Sequence, residues 1–339
     1  MPIITEERFK DITSRFPKLD PILIIGDIGI DKYTYGEVTR ISPEAPVPVV
    51  EVKREWLKLG LAANISHNLK TLGIDSTLCG IIGEDKNAAL FENLLEENYL
   101  KTWGIVRSAD RPTTLKERVT TPTQQICRVD YESNEDIDEA LSKKFFTRTL
   151  DLSDGHSGVI IQDYGKGSLT ESLLRDYITY FKNKNMQVAV DPSRTTKPHL
   201  YRGVDILKPN LLEATILLDE LGYREKDIEK MAMILSEELE ISKLVITLGG
   251  KGMALLENSG QSSSFQIIPT VANNVFDVSG AGDTAISLLM ASYLSGATLE
   301  EASWIGNCGA GVVVGKNGTA TVALDELSQF HNHLANTLQ

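Results

Sequence analysis

Cysteine is scarce. Cys79, Cys127 and Cys308 lie far apart among 339 residues, with no Cys-x-x-Cys pair. Such spacing excludes a disulfide framework and a thiolate zinc site, and it fits a reducing compartment. The five histidines show no metal-ligand spacing either. Apolar runs such as Ala285–Leu294 fall well short of the roughly 20 residues a membrane span needs. Residues 1–20 are charged and lack the apolar heart of a secretory leader. Positive charge is also in deficit, with 34 Lys and Arg against 47 Asp and Glu and a net charge of −13. A chain of that sign repels nucleic acid and anionic membrane. The expected setting is cytoplasmic, without nucleic acid or membrane as partner, and any phosphorylated ligand must be gripped by local cations or backbone amides.

What is present is a hydrophobic fraction of 42%, enough for a large core. Short β-branched runs alternate with longer helical patterns. Ile22–Gly26, Thr77–Gly83, Gly158–Gln162, Gln187–Asp191, Asp205–Leu207 and Lys243–Leu248 read as strands. Ala62–Leu72, Leu169–Lys182, Leu211–Leu221 and Lys226–Leu239 read as helices. This alternation predicts an α/β fold with a doubly wound, mostly parallel sheet flanked by helices. Two segments, Tyr33–Lys53 and Thr113–Asp130, break the rhythm. They are either surface loops with edge strands or a small β-sheet lid, and unmatched strands need hydrogen-bond partners. The expected layout is an N-terminal extension over 1–20 and one domain over 21–330. Lid strands would come from about 33–55 and 112–131, and 331–339 would form a polar tail in which His331 and His333 have no specific task.

The chemistry concentrates in Val275–Leu294, where Gly280-Ala281-Gly282 feeds an apolar helical run. A Gly-Ala-Gly turn lets backbone approach a ligand closely, and its amides at a helix N-terminus make an anion hole. Asp283 then falls in the first helical turn. A carboxylate beside an anion hole is a sufficient set for phosphoryl transfer to a hydroxyl, with the acid as base. The plainer reading is an acidic residue favoured by the helix dipole. Gly311–Lys316 is not a Walker loop, because Ala310 and Asn317 occupy two required places. It reads as helix packed through small residues.

Asp277-Val278-Ser279-Gly280-Ala281-Gly282-Asp283-Thr284 resembles the C-terminal signature of the ribokinase-like (PfkB) carbohydrate kinases, with Ser279 where threonine is more usual. Gly26-Asp27-Ile28-Gly29-Ile30-Asp31 resembles the family's first strand and sugar-binding acid. Gly60-Leu61-Ala62-Ala63-Asn64 resembles its N-terminal signature, Asn210-Leu211-Leu212-Glu213 its Asn-x-x-Glu motif, and Thr247-Leu248-Gly249-Gly250-Lys251-Gly252 its nucleotide turn. The resemblance implies ATP and Mg2+ as cofactors, in some members with a monovalent cation. Asp283 would be the base, with Gly280, Ala281 and Gly282 as the anion hole. Asn210, Leu211, Leu212, Glu213, Thr247, Gly249 and Gly252 would lie on the nucleotide, with Glu213 holding magnesium through water. Asp31, Gly60 and Asn64 would meet the sugar. On their own residues, Asn210 and Glu213 equally make a capping box, and Thr247–Gly252 a hairpin turn.

Within that family the likeness is nearest to the D-glycero-β-D-manno-heptose 7-phosphate kinases. It rests on Arg40-Ile41-Ser42-Pro43-Glu44-Ala45-Pro46, Asp163-Tyr164-x-Lys166-Gly167, Gln124-Gln125 with Arg128 and Asp130, and Val312–Thr319. It implies phosphorylation of heptose 7-phosphate to the 1,7-bisphosphate, with Arg40, Arg128, Asp163 and Lys166 on the substrate. The wider set of available cations adds Lys116, Arg118 and Arg194. It also implies a kinase half without the fused nucleotidyltransferase, and a homodimer through lid strands. Leu61 departs from the signature's second glycine, Ser193 from a usual lysine, and Gly29 from a larger residue. These departures keep other acceptors open, namely fructose phosphate, ribose, a nucleoside or a modified heptose, and behind them a retired, binding-only scaffold.

Overall fold

Period-two alternation splits the central strands between two apolar layers: Ile22 and Ile24 face one side, Leu23 and Ile25 the other, all fully buried. The computed structural model describes residues 4–260, 262–271 and 276–337; Val275, at the head of the glycine-rich run, and the tail's last two residues lie outside them. In chain order come α1 (Glu6–Thr13), β1 (Ile22–Gly26), β2 (Ile28–Ile41), β3 (Pro48–Leu61), α2 (Ala62–Thr71), β4 (Ser76–Gly83) and α3 (Lys86–Glu97). Then follow β5 (Gly104–Ser108), β6 (Thr114–Thr120), β7 (Gln125–Tyr131), α4 (Glu139–Asp151), β8 (Gly158–Gln162), α5 (Glu171–Asn183), β9 (Gln187–Asp191) and β10 (Ile206–Leu207). The last elements are α6 (Leu211–Glu220), α7 (Ile228–Glu238), β11 (Lys243–Thr247), β12 (Met253–Asn258), β13 (Ser263–Ile268), α8 (Ala281–Leu294), α9 (Leu299–Val313) and α10 (Leu324–Thr337).

The main sheet runs β13-β12-β11-β10-β9-β8-β1-β4-β5, parallel except at β12 and β13. Helices α4 to α7 supply one apolar layer, through Phe145, Tyr177, Leu217 and Leu235. The other layer takes Ile65, Phe91, Ile286, Trp304 and Leu327 from α2, α3, α8, α9 and α10. From β1 the chain moves outward to β4 and β5, then returns to β8 and proceeds the other way. The order therefore reverses between β1 and β8, and the carboxyl ends beside such a reversal form a crevice where ligands bind. Asp27, Asp163, Asp191, Lys208 and Thr247 all stand at these ends.

The segments that broke the rhythm are strands of a second sheet, ordered β3-β2-β6-β7. It springs directly from the end of β1. Gly29 is small for a reason: a Cβ there would lie 2.7 Å from the Thr114 carbonyl oxygen, so glycine lets β6 pair with β2.

Residues 4–20 are part of the body, since Phe9, Ile12 and Phe16 are buried in the layer of α2, α3 and α8 to α10. His331 is likewise no surface residue. It lies on α10, fully buried, its ring stacked 4.3 Å from Phe9 and its Nδ1 accepting a bond from Trp304 Nε1.

Candidate active site

Glycine sets the geometry at the start of α8. Gly280 sits at φ +81°, where only glycine is comfortable, and a Cβ there would be 2.7 Å from Asn64 Nδ2. The turn launches a helix whose first amides have no intrahelical acceptor. Ala281 turns its amide back to Val278, which leaves those of Gly282 and Asp283 for a ligand. Asp283 is 4% exposed. Its Oδ2 accepts from Asn64 Nδ2 at 2.9 Å and its Oδ1 from the Tyr164 hydroxyl at 2.7 Å. Burial pushes its pKa up to about 7, against those two bonds. Behind Asn64, Asn68 bonds both Asn64 and Thr284, which fixes the α2–α8 contact in polar register.

Lys208 and Asp191 form a buried ion pair at 2.9 Å, with Lys208 only 3% exposed. A Cβ on Gly282 would lie 3.7 Å from the Lys208 ammonium. A desolvated cation thus stands against the anion hole, where it acts on phosphate charge in low dielectric. Neither residue was singled out from sequence; a lysine just past a short apolar strand carries no distinctive spacing.

On the second sheet, Asp31 is 7% exposed. Its Oδ1 accepts from Arg118 and its Oδ2 from the Thr319 hydroxyl, both at 2.6 Å. Gly60 stands opposite, where a Cβ would come within 2.9 Å of that carboxylate, so the glycine makes room for Asp31. Tyr33 accepts from the Thr319 amide at 2.7 Å, and Lys58 donates to the Asn317 and Thr319 carbonyls. These bonds clasp the second sheet to the loop after α9, close to Gly280. Lys116 and Lys166 converge on opposite oxygens of one carboxylate, that of Glu132.

On the other side, Asn210 and Glu213 form a complete capping box at the start of α6. Glu213 spends Oε2 on the Asn210 amide, and Arg194 stands 3.7 Å from Oε1. Burial, then Asp191, raises the Glu213 pKa. Asn210 also bridges Thr247, so the two motifs are neighbours, while Leu211 and Leu212 are exposed on the first turn. Thr247–Gly252 is a hairpin connection, with open space over Gly249 and Gly250. Gly252 answers to the strand instead: at φ +98°, its Cβ would strike the Ile268 carbonyl.

Of the four further residues assigned to the substrate, Arg40, Arg128 and Asp163 sit otherwise, and Lys166 is held by an acid. Arg40 lies at the far end of the β2–β3 hairpin, exposed, nine residues or about 30 Å along the strand from Asp31. Arg128 is exposed and paired with Asp130. Asp163 is an internal strut that accepts from Thr196, Tyr201 and the Gly165 amide, and burial raises its pKa. Lys166 is bonded to Glu132 and Asn134. Of the departures, Ser193 is a buried turn-former, and Arg194 faces Glu213 rather than the second sheet. Leu61 holds φ +57°, ψ −141°, a region that suits glycine, with its side chain only 9% exposed.

Comparison with known proteins agrees with this geometry. The chain is 38% identical over 320 residues to the bifunctional protein HldE of Citrifermentans bemidjiense, covering 94% of this chain and 65% of that protein. It is 36% identical over 313 residues to the bifunctional protein HldE of Nitratiruptor sp., covering 92% and 65%. The chain thus spans just under two thirds of these curated relatives. Among solved structures, Escherichia coli phosphofructokinase-2 in complex with potassium superposes with TM-score 0.76 at 16% identity, over 94% of this chain and 99% of that one. Thermotoga maritima ribokinase gives 0.72 at 19%, over 93% and 100%. The profile of the pfkB family carbohydrate kinases matches residues 25–326, so this chain belongs to that family and is an ATP-dependent sugar kinase.

Proposed function

We propose that the acceptor is D-glycero-β-D-manno-heptose 7-phosphate, phosphorylated on its anomeric hydroxyl to the 1,7-bisphosphate for lipopolysaccharide-core or related heptose synthesis. The observation that carries this reading is the meeting of Lys116 and Lys166 on Glu132. Two cations gathered on one anionic group, in a protein of net charge −13, make a seat that a sugar phosphate can take over from the carboxylate. Arg118 and Asp31 would hold the hydroxyls between that seat and Asp283. The second sheet would act as a lid that excludes water and limits ATP hydrolysis. Another sugar phosphate is the reading that Leu61 favours, because that side chain replaces the family's glycine.

Asp283 would take the hydroxyl proton as the oxygen attacks, while the Gly282 and Asp283 amides and Lys208 hold charge on the transferring group. A magnesium ion would neutralise the nucleotide's phosphates. Among the described residues no cluster of three or more metal-ligating side chains exists, which suits an ion held by ATP itself and by Glu213 through water. For the adenosine we propose the hollow of about 410 Å³ lined by Gly311, Val312, Gly315 and Phe330. The same helix end is tied to Phe276 and Asp277 through the Val314 carbonyl. Another hollow of about 360 Å³, lined by Leu255, Phe265 and Leu299, touches none of the motif residues. Homodimerisation through the second sheet would cover Ile41, Val47 and Val52, all exposed there. No helix among the described residues is long and apolar enough to cross a membrane.

The test is ATP consumption by purified protein across a panel of sugars and sugar phosphates. Heptose 7-phosphate should give the highest kcat/KM. Higher turnover of another sugar would sink the substrate assignment and leave the kinase class standing.

A further inference from the structure

Burial works against a general base. A carboxyl 4% exposed resists ionisation, and a protonated acid takes no proton from a hydroxyl. The groups facing Asp283 come from four places: Asn64 on α2, Tyr164 after β8, Asp191 at the end of β9 and Lys208 after β10. Asp191 opposes ionisation; the other three favour it. Of these, Lys208 is already paired with Asp191, and Asn64 is held by the α2–α8 contact.

Tyr164 is different in how it is held. Its amide donates to Asp27 Oδ2 at 3.0 Å, the Lys166 amide to the same oxygen at 3.1 Å, and Ser168 to the other oxygen. Its neighbour Asp163 grips the Gly165 amide, Thr196 and Tyr201. Two buried carboxylates therefore clamp the loop on either side of Tyr164 and aim its hydroxyl at Asp283 Oδ1, 2.7 Å away. Burial and the carboxylates of Asp283, Asp191 and Asp31 hold the phenol protonated, so toward Asp283 it can only donate.

We propose that Tyr164 is a positioning residue for Asp283: its hydroxyl donates to one carboxylate oxygen, orients the remaining lone pairs toward the acceptor hydroxyl, and keeps the carboxylate ionised in its buried seat. In the transfer step the sugar O–H bond breaks and its proton passes to Asp283, while the sugar oxygen bonds phosphorus and ADP leaves. Tyr164 keeps its own proton throughout. This rests on Asp283 being the base.

Tyr164→Phe removes one hydroxyl and little else. The acid limb of its kcat/KM profile should move up by about one pH unit. The loss should then be about tenfold at pH 6.5 and small at pH 9. The KM for ATP should not change. Site-specific 3-fluorotyrosine at 164, a stronger donor of the same shape, should move the limb the other way. A loss by one factor at every pH, with both limbs unmoved, would overturn the proposal and leave Tyr164 a space-filler. Asp283→Asn separates the two claims: retained turnover in that variant sinks the base assignment itself, whereas a dead Asp283→Asn with an unshifted Tyr164→Phe profile sinks only this one.

Discussion

The floor of the site and the sheet above it are built on opposite plans. On the floor, Asp283, Asn64, Lys208 and Asp191 are buried and Tyr164 half-buried, all bonded to fixed partners at strand ends and helix starts. On the sheet side, Lys116 and Arg118 of β6 and Lys166 of the loop after β8 are partly exposed, and each is paired with an acid: Glu132, Asp31 and Glu132. A buried network costs a great deal to disturb and gives fixed geometry in return. A rim of exchangeable ion pairs costs little to disturb and reads the charge of what arrives. The floor is thus suited to the chemistry and the sheet to the choice of substrate.

The largest expected effect breaks the floor. Asp283→Asn should lower kcat by about a thousandfold or more while ATP binding stays within a few-fold. The same change should stabilise the protein. The folded-state pKa near 7 lies above the ordinary 3.8, so this carboxyl contributes stability that is fully present below about pH 3.8. It is lost as pH rises through 7. A shift of that size is worth a few kcal/mol, on the order of 4. Melting curves should therefore show Asp283→Asn more stable than the parent at pH 8, with the gap shrinking toward pH 5. An equal gap at both would mean that Asp283 ionises as easily folded as unfolded.

The second prediction breaks the sheet. The double change Lys116→Ala and Lys166→Ala should raise the KM for a sugar phosphate by about ten- to a hundredfold, with kcat reduced far less. The KM for an unphosphorylated sugar should scarcely move. Glu132→Gln should act the other way and lower the KM for the phosphate ester, since its competitor for the lysines loses charge. Equal effects on both kinds of acceptor would show that these lysines serve the sheet's own stability.

This division also explains what was legible in the sequence. Most of the main-sheet strands and the helices that cross over it carry period and punctuation, and the glycine-rich run announces a helix start with an acid in its first turn. These are short-range patterns. Tyr164 was visible only inside a motif, because its partner lies 119 positions away in sequence. Lys116 and Lys166 meet Glu132 through strand register and a loop, neither of which has a local signature. Arg40 is a similar case: a distinctive phrase marks it, yet the hairpin's length sets it nine residues along β2 from Asp31. Similarly, His331 reads as tail because Phe9 and Trp304, whose rings pack on it, lie far off in sequence.

A smaller effect belongs to the cap that joins fold and site. Asn210→Ala should cost about 1 kcal/mol by loss of the N-cap acceptor, read as a lowered melting temperature. Glu213→Gln keeps the size of the side chain and should instead raise the magnesium concentration needed for half-maximal rate. Should Glu213→Gln change only stability, its role would end at the capping box.

The smallest expected effect lies where floor and sheet join. Leu61 ends β3 and caps α2, with φ +57° and ψ −141°. A leucine in such a region stores roughly 1–3 kcal/mol of strain. Leu61→Gly would release that strain and lose a buried side chain worth about 1.5–3 kcal/mol. It would also free more chain entropy in the unfolded state, about 0.5–1 kcal/mol. The terms oppose one another and are similar in size, so the net change in stability should be small, about 1 kcal/mol toward destabilisation. The informative readout is therefore specificity, because α2 carries Asn64 and β3 carries Gly60, whose missing side chain makes room for Asp31. If Leu61 narrows the acceptor seat, the glycine variant should accept a wider range of sugars at nearly unchanged Tm. A large fall in Tm with the same substrate ranking would show instead that the leucine is held there by packing alone.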